Sequence, residues 1–262
     1  MNLKKRLIAV LFVKNGFIVR SEKFIRHQII GDIVNQAKRL NQWNADELIY
    51  IDISREKIYD SKRDDLKFKS INSKKQIVQE VSKVCRMPLT FGGGIRSFQD
   101  ASEIIENGGD KVVVNFLLHT NHEEIKKIIN VYGSQAVVAS IDYRKINNEL
   151  IVYSKFGEHN TNNKLFEIIN LCEKLKVGEL FFQNIDLDGS GSGYDIDTIQ
   201  HINSISNLPA IFCSGAGKID HFKDVLSLKE VEAVAVGNYL NFSEHSYIRI
   251  KKNLRDNNIN VR

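Results

Sequence analysis

Short apolar runs alternate with amphipathic stretches along the whole chain. The amphipathic stretches repeat their apolar residues at helical spacing. In residues 165–175, one helical face contains Leu165, Ile168, Ile169, Cys172 and Leu175. In residues 97–107, Ser97 is placed to cap a helix that Gly108-Gly109 would end. Runs rich in branched and aromatic residues predict eight strands, at residues 6–13, 48–53, 87–91, 111–115, 136–142, 179–185, 209–213 and 232–236. Strands that alternate with helices predict a parallel sheet in an α/β protein.

An internal repeat favours a closed sheet over an open one. The matched pairs are 7–13 with 137–143, 49–54 with 184–189, and 91–115 with 212–238. In the last pair, both copies have a Gly-rich turn before a helix, and the next strand ends at an Asn, Asn115 or Asn238. Two similar halves of four βα units make a (β/α)8 TIM barrel with a two-fold half-barrel repeat. We expect residues 1–262 to form this single domain, and a doubly wound open sheet is the alternative.

Composition is that of an ordinary globular protein and excludes few functions. The 262 residues are 42% hydrophobic and 26% charged, and the net charge of +5 is spread along the chain. No basic run is interleaved with aromatic residues, so we expect no nucleic-acid partner, although a basic balance suits an anionic substrate. No segment is long and apolar enough to predict a membrane span. Cys85, Cys172 and Cys213 lack metal-ligand spacing, so we expect no metal, no cofactor and a reducing, cytoplasmic location.

Glycine and polar residues gather at predicted strand ends, where barrel enzymes have their active sites. Gly92-Gly93-Gly94 follows the third strand, Asp186 to Gly193 the sixth, Ser214 to Gly217 the seventh, and Gly237-Asn238 the eighth. Glycine lets backbone N–H groups approach an anion closely, so several such loops together predict a phosphate-type ligand. One such loop alone would be explained by the turn that it makes.

The two halves differ at the end of their first strands. The segment LIAVLFVKNG places Phe12 where AVVASIDYRK places Asp142. A carboxylate can transfer protons, whereas a phenyl ring can only pack or block. We therefore expect chemistry that uses one acidic group, Asp142, on a scaffold laid out for two; a helix cap or a surface loop position is the plainer explanation of this Asp.

An ordered series of motifs over nearly the whole chain resembles one family. KRLIAVLFVKNG, WNADELIYIDIS, FGGGIR, GDKVVVN, GSQAVVASIDYRK, GELFFQNIDLDGSGSGYD and SGAGKIDHF are similar to the cyclase subunit of imidazole glycerol phosphate synthase, the HisF family. The resemblance implies a barrel with lyase activity that forms a heterodimer with a glutaminase subunit. In that family ammonia crosses the barrel to the C-terminal face, enters the imidazole ring, and an aminoimidazole carboxamide ribonucleotide is split off. The substrate carries two phosphates, one held by each half-barrel.

Carried onto this sequence, the resemblance makes Asp142 one of two catalytic aspartates, and the other falls on Phe12. In the first half the phosphate positions Gly94 and Asn115 remain, but Phe116 replaces a small hydroxyl residue. In the second half the retained positions are Asp188, Gly189, Gly215 and Gly237, while Cys213, Ser214 and Asn238 replace small family residues. The resemblance thus implies a usable second-half phosphate site, in which Asn238 is also a candidate ligand, and a doubtful first-half site.

The family gates the opposite, N-terminal entrance with four alternating charges, which the resemblance places at Arg6, Glu47, Lys111 and Glu179. Asp110, a partner-facing position in the family, is also retained. Charges at a barrel bottom could instead serve only to stabilise the fold. An intact entrance opposite an altered active site favours an ammonia channel.

Three functions remain open. Members of the family that occur beside surface-polysaccharide genes, including those for lipopolysaccharide, are associated with amidination of amino sugars, so the first is a divergent paralogue that supplies ammonia for such a reaction. The second is an authentic cyclase of histidine biosynthesis, to which the loss represented by Phe12 is an obstacle. The third is a non-catalytic activator or scaffold of the glutaminase.

Overall fold

The structure is a computed structural model that describes residues 3–55, 58–59 and 71–262. Its elements in chain order are β1 (Arg6–Lys14), β2 (Phe17–Glu22), β3 (Arg26–Asp32), α1 (Ile33–Gln42), β4 (Glu47–Asp52), α2 (Lys74–Ser82), β5 (Leu89–Gly92), α3 (Phe98–Glu106), β6 (Lys111–Val114), α4 (Phe116–Thr120), α5 (His122–Tyr132), β7 (Val137–Ile146), β8 (Glu149–Ser154), β9 (His159–Lys164), α6 (Leu165–Leu175), β10 (Glu179–Asn184), α7 (Ile196–Ile205), β11 (Ala210–Cys213), α8 (Ile219–Ser227), β12 (Ala233–Val236) and α9 (Ser246–Asp256). Short 3-10 turns lie at Ser134–Ala136 and Asn238–Asn241.

Within these ranges, eight parallel strands close a barrel in the order β1, β4, β5, β6, β7, β10, β11 and β12. Pairing of β12 with β1 and of β7 with β10 completes the circle, so no edge of the parallel sheet stays open. The predicted (β/α)8 barrel is confirmed, and the open-sheet alternative is wrong. Helix α6 has the predicted bounds, and α3 begins after Ser97, whose hydroxyl accepts the Asp100 N–H at 3.2 Å.

Alternation along β1 separates two apolar layers, because successive side chains of a strand point to opposite faces. Leu7, Ala9 and Leu11 pack outward against the helices. Ile8 and Phe12 point inward and share a second cluster with residues of the other barrel strands. This inner cluster fills the barrel below its C-terminal mouth, and it contains Val10, Ile49, Val113, Val138, Phe181, Ile211, Cys213, Ala233 and Ala235.

Antiparallel arms extend the first strand of each half-barrel and were not predicted. Strands β2 and β3 extend from β1, and β8 and β9 extend from β7. The first turns are Asn15-Gly16 and Asn147-Asn148, both with positive φ at each residue, which is the geometry of a tight hairpin. The hydrophobic pattern does not predict the second arm, because its strand β9, with the sequence HNTNNK, is almost wholly polar.

The tips of the two arms repeat the same backbone conformation. Lys23 and Phe24 have φ of 50° and 60°, and so do Lys155 and Phe156. The tips meet over the barrel mouth, where Phe24 lies against Gly157. The two-fold repeat therefore extends beyond the barrel into its covering arms. Among the helices of the described ranges, none is long and apolar enough to cross a bilayer.

Candidate functional site

A cavity of about 950 Å³ opens at the C-terminal ends of the barrel strands, beneath the two arms. Its wall contains six residues singled out from the sequence, namely Phe12, Gly93, Gly94, Asn115, Phe116 and Asp142. The remaining predicted phosphate positions are not part of its wall. The structure thus brings the catalytic candidate together with the first-half phosphate positions.

Asp142 lies on the barrel strand β7 and is 8% exposed. The Ser140 hydroxyl donates to its Oδ1 at 3.2 Å, and the Asn115 amide approaches its Oδ2 at 3.4 Å. Burial raises the pKa of Asp142 to about 7, the Ser140 hydrogen bond acts to lower it, and the charge of Asp188 raises it further. A carboxyl group that titrates near neutrality can both accept and return a proton at physiological pH.

Gln183 stands beside Asp142 on the neighbouring strand β10 and was missed by sequence reasoning. It is 3% exposed and lines the cavity, and its Nε2 has no hydrogen-bond partner within the described part of the chain. Buried donors without partners are uncommon in folded proteins, so this amide is available to an acceptor in the cavity. The available signal was a polar residue directly after the apolar run LFF of this strand.

Phe12 lines the opposite side of the cavity and is 6% exposed. Its ring packs edge-on against Phe24 at a centroid distance of 6.4 Å, and it lies beside Gly237. The ring occupies the β1 side of the mouth, while the cavity continues to Asp142. Phe12 therefore lines the mouth and does not seal it.

The first-half loop after β5 presents glycine backbone and cations to the mouth. Gly93 and Gly94 have φ of +91° and +62°, and a Cβ on Gly93 would lie 1.9 Å from the Asp52 carbonyl oxygen, so glycine is required there. The half-buried Lys74 amine donates to the Gly93 carbonyl. Burial lowers the pKa of Lys74, against the attraction of Asp52 and other carboxylates.

Phe116 begins α4 beside this loop. The Arg96 guanidinium lies over the Phe116 ring at 5.4 Å from its centroid, and both residues line the cavity. Asn115 precedes the helix and makes no side-chain capping hydrogen bond, and its amide donates to the Ser140 carbonyl at 3.1 Å. The Phe116 ring thus positions the Arg96 guanidinium at the rim of the cavity.

The second-half loops lie beneath the first arm. The Ser21 hydroxyl donates to Asp188 Oδ2 at 3.0 Å, and the Asn238 amide engages the Ser21 backbone. The Gly193 N–H donates to the Gly215 carbonyl at 2.8 Å, which ties two of these loops to each other. The usable second-half phosphate site stays a prediction, and the first arm, which was not predicted, lies over its loops.

The four predicted entrance residues meet at the N-terminal end of the barrel, and we call them the entrance ring: Arg6, Glu47, Lys111 and Glu179. Arg6 Nη1 lies 3.0 Å from Glu47 Oε1, and its Nη2 bonds Glu179. Lys111 Nζ lies 3.0 Å from the other Glu179 oxygen. Burial acts to lower the pKa of Arg6, but the two carboxylates outweigh it and raise that pKa. The ring lies directly below the apolar barrel interior.

Two further charged residues lie at this end. Arg262 adds to the ring with its Nη1 at 3.3 Å from Glu47 Oε1. Asp110 is exposed, and its Oδ2 accepts the backbone N–H of Leu89 at 2.7 Å. Asp110 is therefore available to a partner while it also fixes the start of β5.

The comparisons with known proteins agree with this architecture. The model of a family described as "Histidine biosynthesis protein" matches residues 6–246. Imidazole glycerol phosphate synthase subunit HisF of Sulfurisphaera tokodaii is 36% identical over 236 residues, which cover 89% of each chain. The HisF subunit of Chlorobium phaeovibrioides is 34% identical over 263 residues and 99% of both chains. That of Thermotoga sp. strain RQ2 is also 34% identical, over 99% of this chain and 98% of its own.

Proposed function

Since the chain belongs to the histidine biosynthesis protein family and is HisF-like over nearly its whole length, we propose that it is the barrel subunit of a glutamine amidotransferase complex. A glutaminase partner would bind at the N-terminal face and release ammonia into the barrel. The observation that carries this proposal is the entrance ring, in which Arg6 and Lys111 share Glu179. Such a ring would exclude ions and water while its side chains move to admit a small neutral molecule.

The barrel interior supports passage of ammonia in its neutral form. Ile8, Val113 and Ala235 are among the buried residues between the ring and the mouth. An apolar interior disfavours the ammonium ion, because a charge without partners is costly to remove from water. At the mouth, Asp142 would take up the proton that ammonia loses when its nitrogen bonds to carbon.

The favoured role is that of a divergent paralogue that supplies ammonia for amidination of a surface-polysaccharide amino sugar. Phe12 supports a changed acceptor, because it removes one carboxylate from the mouth and adds an apolar wall beside Phe24. The acceptor would react in the mouth or on a further enzyme that receives the ammonia there. A cytoplasmic location stays a prediction.

An authentic cyclase of histidine biosynthesis is the alternative that Asp142 favours, since its pKa of about 7 suits general acid–base catalysis. Loss of one acid or base typically costs roughly 100- to 10,000-fold in rate. With ammonium and the histidine-pathway substrate, the purified chain should therefore turn over very slowly. Rates like those of the HisF relatives would contradict the divergent role.

A non-catalytic activator of the glutaminase is the second alternative, which would need the entrance face but not Asp142. The Asp142→Asn variant tests this alternative: complete retention of function in the complex would exclude catalysis by Asp142 and leave the activator or delivery of ammonia to a further enzyme.

The main test mixes the chain with its cognate glutaminase and measures glutamine hydrolysis. Activity should rise on mixing, and Asp110→Ala should reduce that rise, with Asp220→Ala, an exposed acidic residue in the first turn of α8, as the matched control. Absence of any association at micromolar concentration would refute the amidotransferase proposal. Association without activation would leave the channel without support.

A further inference from the structure

The mouth cavity has a cationic rim, although it contains the acidic candidate Asp142. Its cationic lining residues are Lys14, Lys23, Arg55, Arg96, Arg144 and Lys155, and its carboxylates are Asp142 and Glu158. Arg55 is paired with Glu158 at 2.8 Å, and Arg144 lies 3.7 Å from Asp186. No carboxylate of the described residues forms an ion pair with the Arg96 guanidinium, which leaves this cation available to an anion.

Arg96 is held in a defined position. Its guanidinium lies over the Phe116 ring, and it follows the turn in which Gly93 and Gly94 adopt the left-handed backbone. Lys74 Nζ comes within 3.0 Å of the position that a Cβ on Gly94 would take, so a second cation lies behind the same turn. A stacked guanidinium beside glycine backbone forms a cradle that matches the oxygens of a phosphate or carboxylate.

In the other half, the chain itself fills the strand end at Asn238, which matches Asn115 in the repeat. The Asn238 amide accepts the Ser21 N–H at 3.3 Å and donates to the Ser21 carbonyl, so both backbone groups of one residue are engaged. Ser21 is 1% exposed and its hydroxyl binds Asp188. The Lys23 N–H donates to the Asp188 carbonyl at 3.1 Å. A Cβ on Gly189 would lie 2.7 Å from the Ser21 carbonyl oxygen, which shows how closely the arm approaches this loop.

The cavity wall between these two positions has a polar side and an apolar side, which restrict the kind of ligand that fits. Gln183 offers an unpartnered buried donor beside Asp142 and Ser140, whereas Phe12 and Ile51 form the facing apolar wall. A ligand that fits must therefore present an acceptor oxygen to one side and an apolar face to the other. Sugar rings, which carry oxygens at their edges and C–H groups on their faces, have this character.

We propose that the mouth binds a sugar-like substrate with one anionic group, held by Arg96 and the Gly93-Gly94 turn, and that the Ser21–Lys23 segment takes the position of a second anion. The inference rests on the proposed function only in treating the mouth as the reaction site. It replaces the two-phosphate substrate implied by the HisF resemblance with a substrate of one anion.

The test follows backbone amide signals of the full chain by NMR during titration with inorganic phosphate. One site should appear, with shifts at Gly93 and Gly94. Arg96→Ala should weaken it by roughly tenfold or more, because a charge-assisted hydrogen bond is lost. Arg86→Ala is the matched control, since it removes an exposed cation before the same strand, at its opposite end, and should leave the affinity unchanged. Asn238→Gly releases the Ser21 backbone and should add a second site near Gly215.

Sugar probes then identify the preferred anionic group and test whether the mouth binds a sugar ring. Glucose phosphate and glucuronate share a ring and differ in the anion, so the tighter of the two identifies phosphate or carboxylate as the preferred group. Fructose bisphosphate should bind no more tightly than glucose phosphate, and Gln183→Met should weaken the sugar probes but not inorganic phosphate. Two phosphate sites in the unaltered chain, first shifts at Gly215, or no binding at millimolar concentration would overturn the inference.

These measurements use the barrel alone, so they are independent of the glutaminase test. Failure of anion binding together with glutaminase activation would overturn this inference and leave the proposed function intact. Binding of one anion without any glutaminase association would do the reverse.

Discussion

The Asp142 carboxyl group should make the stability of the fold depend on pH near neutrality. Its pKa rises from 3.8 to about 7, mainly because burial disfavours the charged form. The folded state therefore binds this proton more tightly than the unfolded chain. The stability that this preference contributes is complete below the unfolded value of 3.8 and is lost as the pH rises through about 7.

The magnitude follows from the gap between the two pKa values. The pKa rises from 3.8 to about 7, and each pKa unit is equivalent to about 1.4 kcal/mol. Ionisation of Asp142 therefore lowers the stability of the folded state by about 4 kcal/mol. Asparagine has nearly the same shape and does not ionise. The free energy of unfolding of Asp142→Asn, relative to the unaltered chain, should increase by roughly 2–3 kcal/mol between about pH 5 and about pH 8 and then level off.

Urea unfolding over this pH range measures the difference, with fluorescence of the single, buried tryptophan Trp43 as the signal. Comparing two variants at each pH cancels the titration of groups that Asp142 does not contact. Ser140→Ala removes the hydrogen bond that lowers this pKa, and it should move the loss of stability to higher pH. A difference between Asp142→Asn and the unaltered chain that does not change with pH would refute titration of Asp142 near neutrality.

Two further predictions concern charge and backbone. Glu179→Gln removes the carboxylate shared by two cations of the entrance ring and should lower the free energy of unfolding by roughly 3 kcal/mol, whereas Glu158→Gln, in an exposed pair, should cost less than about 0.5 kcal/mol. If both variants lost the same free energy of unfolding, the ion pairs of the entrance ring would contribute no more to stability than an exposed pair. Gly93→Ala would place a Cβ 1.9 Å from a carbonyl oxygen and should reduce the melting temperature far more than Gly191→Ala, which also has positive φ but meets its nearest atom at 3.9 Å. Similar melting temperatures would mean that the loop adjusts freely.

The barrel could be predicted from local sequence patterns, whereas the entrance residues were placed by the resemblance to the HisF family. Branched apolar runs separated by helical periodicity give parallel strands, and the repeat of two halves favours closure. Arg6 and Glu179 stand at strand starts, and parallel strands of one barrel bring their starts together. Asp142 was found from the local pattern, since it stands where the predicted fifth strand ends.

The covering arms and their contacts could not be predicted in this way. The strand β9 is polar, so no apolar periodicity marks it, and the contact between Ser21 and Asn238 joins residues 217 positions apart. The sequence pattern does not set Gln183 apart from other strand residues. Only the packed strands show that its Nε2 is buried without a hydrogen-bond partner among the described residues. Arg96 gains its position from a ring on the following βα unit.

The sequence by itself therefore determined the barrel and the place of Asp142 at its mouth, because strand and helix periods decide which residues point inward and where each strand ends. The resemblance to the HisF family identified the four charges at the entrance. The tertiary structure alone decided which anion position stays open. That choice depends on where the first arm lies after the barrel closes, and closure brings β1 beside β12, so that the arm reaches Asn238 and Asp188. Phe12, the residue in which the two halves differ, lies under the same arm. Its ring packs against Phe24, and the two rings form the apolar wall of the cavity opposite Asp142.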